Sequence, residues 1–306
     1  MTVRRLLAPI VALVVLLGVV ASGCGGSQVA IPELSSFTTV AKTSASSDSA
    51  QFELSVELTL PGIGESLSFT AEGGFDTPDR RSRIAVDLSS LAKLMAQAGP
   101  LLGGTVTGDL ADSDPEDWKL DAIVDGDVVY VRFPPIAEEL PAGKTWIKGD
   151  AKDFSKTGTA GLDQAGSLSG IDPRDVFGVL QAVSGTIESV GSEDVRGVAT
   201  SHYRATLDPA KISALLPAGQ RQSFGGIDEA AKQAGLSDLP IDVWIDADGR
   251  VRKLSIELDA KMPGSDQSLQ ASLVVEVYDY GVPLELELPP ADQVADAATL
   301  KLPKRS

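Results

Sequence analysis

The stretch Gln51-Phe-Glu-Leu-Ser-Val-Glu-Leu-Thr-Leu60 sets an apolar residue at every second position, namely Phe52, Leu54, Val56, Leu58 and Leu60. Successive side chains of an extended chain point to opposite faces, so a period of two describes a strand with one dry and one wet side. The same period returns at Leu67, Phe69 and Ala71 and at Ile84, Val86 and Leu88, which predicts a three-stranded antiparallel meander from Gln51 to Leu88. Downstream, Asp125-Gly126 parts two alternating runs and Asp248-Gly249 parts two more. An Asp-Gly pair in that setting favours a type I′ hairpin turn. Further strands are expected over Trp146–Gly149, Gly185–Val190, Gly197–Leu207 and Gln267–Tyr280. Together these make about eleven strands, an α+β chain built on one large curved antiparallel sheet.

Helices are expected between the strands. From Ile31 to Thr43 the apolar positions Leu34, Phe37, Val40 and Ala41 fall at helical spacing, followed by a Ser-rich stop from Ser44 to Ser49. Ser89–Ala98 is apolar over most of its circumference and ends at Gly99-Pro100. Asp172-Pro173 and Asp208-Pro209 each offer a capping Asp and a Pro at the first helical position, and a fourth short helix is expected from Ile227 to Ala234. Leu102–Pro115 and Gly149–Gly170 read as surface loops, and neither marks a domain boundary. A single domain over residues 31–306, with helices on one face of the sheet, accounts for the order. Those helices could pack down into a solid core or stand off and leave a cavity for an apolar ligand.

The first residues carry a different signal. Arg4 and Arg5 precede an uncharged run from Leu6 to Val20, a basic then apolar pattern typical of export signals and short for a membrane span. The run closes on Ala21-Ser22-Gly23-Cys24, which resembles the lipobox of bacterial lipoproteins. That resemblance implies a signal peptide over residues 1–23, cleavage before Cys24 and a diacylglyceryl group on its thiol. Residues 24–30 then form an acylated N-terminus and short tether, and two chains suffice for stable anchoring. The alternative is an ordinary signal peptide followed by a free thiol, or an uncleaved anchor.

The inventory of reactive groups is short. Of 306 residues one is Cys and one is His, so an internal disulfide, a thiolate metal cage and a multi-His metal site are excluded. The formal charge of −17, from 26 basic against 43 acidic residues, speaks against nucleic acid as a partner. Loss of residues 1–23 removes Arg4 and Arg5 and no acid, which leaves −19. The acidic run Asp109, Asp112, Asp114, Glu116 and Asp117 lacks the glycine and spacing of a calcium loop, and Asp246 with Asp248 belongs to a hairpin turn. His202 alternates onto the face opposite Ser201 and Tyr203, and no nucleophile motif stands near it. The chain is expected to be no enzyme and to need neither cofactor nor metal.

Three later segments carry a family resemblance. Glu193-Asp-Val-Arg-Gly-Val-Ala-Thr-Ser-His-Tyr203, Pro240-Ile-Asp-Val-Trp-Ile-Asp-Ala-Asp-Gly-Arg-Val-Arg-Lys253 and Tyr278-Asp-Tyr-Gly-Val-Pro-Leu-Glu-Leu-Glu-Leu-Pro-Pro-Ala-Asp-Gln-Val294 look like the LppX/LprAFG lipoproteins of actinobacteria. The resemblance implies a half-open antiparallel barrel of the LolA/LolB type, with short helices over its concave side and an apolar cavity between. It implies a protein lipid-anchored on the extracytoplasmic face of the cell membrane. Such a protein takes up acyl chains of a lipid or lipoglycan and passes them towards the outer envelope, with an envelope transport protein as a possible partner. Candidate cavity residues are Leu91, Leu94, Met95, Phe177 and Leu180. The competing reading is a non-enzymatic envelope scaffold with a solid core.

Overall fold

A computed structural model describes residues 34–59, 66–98, 114–150, 154, 173–215, 238–261 and 268–300. The expected signal peptide, Cys24, the tether, Asp172 and the Ile227–Ala234 helix lie outside them, as does most of both Gly-rich loops. The described chain is organised by one sheet. Its strands are β1 (Ser49–Thr59), β2 (Ser66–Asp76), β3 (Arg81–Asp87), β4 (Lys119–Asp125), β5 (Val128–Arg132), β6 (Trp146–Gly149), β7 (Val183–Val195), β8 (Val198–Leu207), β9 (Leu239–Asp246), β10 (Val251–Lys261), β11 (Ser268–Tyr278) and β12 (Val294–Asp296). They lie in the order β12-β6-β5-β4-β3-β2-β1-β11-β10-β9-β8-β7, so the sheet stays open with β12 and β7 as its edges.

Two details differ from the expected all-antiparallel sheet of about eleven strands. There are twelve strands, and β12 pairs with β6 in parallel. The chain leaves β11 in the middle of the sheet and reaches the far edge through an extended segment, where Leu284 N–H donates to Asp76 and Gln293 O accepts from Thr145 N–H. It arrives running in the direction of β6, and three residues are too few to show a period of two.

The turns also differ. At Asp125-Gly126 only Gly126 has a left-handed φ, +64°. At the second pair the Asp246 carboxylate accepts from the N–H groups of Asp248 and Arg250, which draws the loop out and makes Gly249 (φ +77°) its left-handed residue. Two consecutive left-handed residues, the mark of a type I′ turn, occur at Arg196 (φ +49°) and Gly197 (φ +79°) between β7 and β8.

Cross-strand registers carry the alternation across the whole sheet. Tyr203, Val243, Leu254, Val275, Leu54, Ala71, Val86 and Leu120 form one continuous row from β8 to β4. Val277, Phe52, Gly73, Ile84, Ala122, Val131, Ile147 and Ala295 form the next, from β11 to β12. A third row, Ala205, Ile241, Ile256, Leu273, Val56 and Phe69, runs on the other side of the first. One face of the sheet is therefore apolar nearly from edge to edge.

Helix α1 (Leu34–Ala45) lies on that inner face. Phe37, Val40 and Ala41 are buried as its spacing predicts, with Phe37 edge-on to Tyr203 at 6.4 Å between ring centres. Each large apolar side chain so buried stabilises the fold by about 2 kcal/mol. Pro173–Ala182 winds as a 3₁₀ rather than an α-helix. Gly178 and the β-branched Val176 and Val179 weaken the α form, and the buried Phe177 and Leu180 stand three positions apart, which the 3₁₀ repeat places on one side. Helix α2 (Ser89–Ala98) packs against β2, and α3 (Pro209–Leu215) against the 3₁₀ segment, with Asp208 accepting from Ala210 N–H as its cap.

The residues expected to end α1 turn out to anchor it. Ser44 is fully buried, and its hydroxyl accepts from Val251 N–H at 2.9 Å beside the bulge in β10, while the Val251 carbonyl accepts from the Tyr280 hydroxyl at 2.7 Å. Both polar groups of Val251 are thus satisfied by side chains from distant parts of the chain. Ser44→Ala should leave a buried N–H without its acceptor and cost about 1–3 kcal/mol, read as a lower urea midpoint with an unchanged m-value. A midpoint equal to that of the unmodified protein would show that the bond contributes nothing.

Candidate functional site

The inner face supports two separate cores. One gathers Phe37, Val40, Phe177, Leu180, Leu207, Ile241, Val243, Leu254, Val275 and Val277 under α1 and the 3₁₀ segment. The other gathers Ala122, Val129, Val131, Ile136, Leu140, Ile147, Phe154 and Ala297 at the opposite end of the sheet. Between them the apolar rows continue, but their side chains are only half-buried: Leu54, Ile256 and Leu273, which pack against the first core, and Val56, Leu58, Phe69, Val86 and Leu258. Antiparallel registers place these residues side by side on β10, β11, β1, β2 and β3. The result is a contiguous apolar strip, about 20 Å across five strands at the usual spacing between neighbours.

The five residues expected to line a cavity divide into two groups. Phe177 and Leu180 come together in the first core, only 2% and 1% exposed, beneath α1. Leu91 and Leu94 sit half-buried on α2, beside β2 and hence at the margin of the strip. The Met95 side chain lies outside the described residues. The strip itself comes from strand residues, and the period-2 runs that define it were visible in the sequence as a face but not as one left partly uncovered.

A second concavity, of about 500 Å3, lies at the β6–β12 edge and is lined by Glu139, Leu140, Lys144, Asp296, Thr299 and Leu300 among others. Its mixed polar lining suits no acyl chain, and none of the five expected residues borders it. No helix among the described residues is long and apolar enough to cross a membrane.

The outer face is polar and heavily cross-linked. His202 stacks on Trp244 at 4.2 Å, with Nε2 2.6 Å from Asp242 and Nδ1 3.6 Å from Glu193. The Trp244 indole N–H donates to Glu193, Lys253 lies over the indole at 4.8 Å, and Arg204 also pairs with Asp242. The imidazole is thus clamped by two carboxylates and a ring, an arrangement that fixes the β7–β8 hairpin to β9. At the hairpin tip Arg196 reaches across the outer face to pair with Glu276 on β11 and Glu53 on β1, with its guanidinium 4.2 Å from the Tyr278 ring. Nothing in the spacing of Arg196 foretold a bond to a residue 143 positions away.

Three of the acidic groups weighed as metal ligands are engaged elsewhere. Asp114 caps a short 3₁₀ turn, Glu116 pairs with Lys93 at 2.8 Å, and buried Asp246 pairs with Arg252 at 2.6 Å. Asp109 and Asp112 lie outside the described residues, among which no cluster of three or more His, Cys, Asp or Glu side chains could hold a metal ion. Burial pushes the Tyr280 phenol well above its ordinary range, in keeping with a hydroxyl that donates to the Val251 carbonyl.

No family model matches the chain. It is 27% identical over 195 residues to an uncharacterized 31.2 kDa protein from the rplA–rplJ intergenic region of Streptomyces griseus, covering 63% of this chain and 61% of that relative's length. Among solved structures it is similar to lipoprotein LppX of Mycobacterium tuberculosis, at 12% identity over 83% of this chain and 97% of that one, with a TM-score of 0.42. It is also similar to LprF of Mycobacterium bovis, at 14% identity over 85% and 99%, with a TM-score of 0.43.

Arg196→Ala should test whether the outer brace supports the sheet. Exposed ion pairs contribute up to about 1 kcal/mol each and weaken with salt, whereas a cation on an aromatic face adds about 0.5–1 kcal/mol. The variant should lose about 1 kcal/mol in dilute buffer and less in high salt, measured by thermal unfolding. A loss of equal size at both ionic strengths would assign it to packing.

Proposed function

We propose that this chain is an envelope lipoprotein, acylated at Cys24 and held on the extracytoplasmic face of the cell membrane. Its inner sheet face binds acyl chains of a lipid or lipoglycan and carries them towards the outer envelope. The observation that supports this reading is the half-buried apolar strip between two finished cores. A contiguous apolar surface left partly uncovered marks a binding surface. This one offers methyl, methylene and phenyl groups and almost no hydrogen-bonding side chain, which selects for hydrocarbon and against sugars, peptides or nucleotides. Burying hydrocarbon there gains about 25 cal/mol per Å2 and asks for no chemical step.

The lipobox at Cys24 fits the same reading. Between Cys24 and Leu34, the first residue of α1, an extended chain reaches at most about 35 Å, so the body would stay beside the bilayer that supplies its ligand. At −19 the mature chain would be repelled by anionic headgroups, which favours capture of acyl chains over adhesion to the membrane surface. A second reading, a scaffold with a solid core, is favoured for one half of the molecule by the burial of Phe177 and Leu180 beneath α1.

Native mass spectrometry of the protein purified from its own host should find a diacylglyceryl-modified N-terminal Cys24 and a co-purifying lipid. Val56→Asp would set a charge in the middle of the strip and should reduce the lipid-bound fraction at least tenfold without loss of fold. Ligand-free protein from the host would contradict the carrier reading, and an unmodified Cys24 would contradict the anchor.

A further inference from the structure

At one end the strip is stopped. Along β1 the inner-face residues run Leu58, Val56, Leu54, Phe52 and Ala50, from half-buried through to the last, which is 1% exposed. The matching residues of β2 are Leu67, Phe69, Ala71, Gly73 and Phe75. Gly73 stands directly opposite Phe52 on one side and Ile84 on the other. A Cβ added at Gly73 would lie 2.7 Å from Phe52 Cζ and closer still to the Arg83 carbonyl oxygen. The Phe52 ring therefore occupies the space that a side chain on β2 would otherwise fill. Phe52 packs with the first core and Ile84 with the second, so the ring over Gly73 is the partition between them.

We infer that Phe52, lying across Gly73, is the stop that sets how long an acyl chain the strip accepts. This rests on the acyl-binding reading above. A chain lying along β1 from Leu58 has about 20 Å of strand before it meets the ring, six residues at roughly 3.4 Å each. Methylenes up to that point are removed from water, and each added one should tighten binding about fourfold. Methylenes beyond it meet the ring edge and gain nothing. Removal of the ring opens the floor over Gly73 and leads the chain tail towards Ile84 and Ala122, which are apolar and on the same row.

The test uses the full chain carrying Cys24→Ala, so that no attached acyl group competes, and a homologous series of straight-chain saturated fatty acids read by displacement of a fluorescent fatty acid. In the parent protein, affinity should rise about fourfold per methylene and then level off at a definite length. In Phe52→Ala the rise should continue for two or more further carbons, and Phe52→Leu, which keeps most of the volume, should move the break point less. Thermal unfolding checks the fold of each, and Phe52→Leu alone decides if Phe52→Ala does not fold. A break point that stays in place in a folded, binding variant overturns the role of Phe52 and leaves the acyl site standing. No binding at any length in the parent overturns the acyl site itself.

Discussion

The constraint that governs this molecule is the extent of its apolar sheet face. Cross-strand rows that together reach from β8 to β12 present hydrocarbon over most of the described sheet, and antiparallel sheets commonly leave one face to water. The described helices on offer are short. α1 and the 3₁₀ segment close one end, short turns and Phe154 close the other, and the span between β10 and β3 is left half covered. Closure into a barrel would have removed the two edges and sealed this span. Instead the sheet stays open, and the uncovered hydrocarbon is where an apolar ligand gains most from leaving water.

The outer face is organised against the opposite problem. A wide sheet must be kept in one curvature, and polar side chains alone hold it loosely. Here the β7–β8 hairpin folds its tip over the outer face and ties Arg196 to β11 and β1, while the His202–Trp244 stack is clamped by Glu193 and Asp242. The Arg196 contacts lie on the reverse side of β1 and β11, the strands that carry Leu54, Val56 and Leu273, so a braced back supports the strip. Cation–aromatic contacts and paired charges suit this role because they hold geometry without presenting a second greasy surface.

Much of this was legible in the sequence, because a period of two is the direct imprint of a half-buried strand. Phe52 to Leu60 and Ile84 to Leu88 marked the dry face, and the helix periods of Phe37, Val40 and Ala41 marked what lies on it. What escaped detection was non-local. The three residues of β12 have no period, the paired left-handed residues fell at Arg196-Gly197 where no Asp-Gly signal stood, and the Asp246 carboxylate reshaped the second Asp-Gly turn. Alternation tells which face is apolar but not which part of it a helix covers. Phe177 and Leu180 therefore looked like lining and lie in a packed core, while Val56 and Leu273, which the alternation did not single out as lining, lie in the strip. Gly73 was equally silent, since only the approach of the Phe52 ring gives it meaning.

The most direct test of the acyl-binding strip is methyl NMR of the full chain carrying Cys24→Ala, titrated with a fatty acid bearing a nitroxide on its tail. Binding along the strip predicts saturable broadening of the Val56, Leu58, Ile256 and Leu273 methyl signals, with those of Leu207 and Val243 in the packed core and of Leu300 at the β6–β12 edge left sharp. Broadening confined to Leu300, or none that saturates, would contradict it.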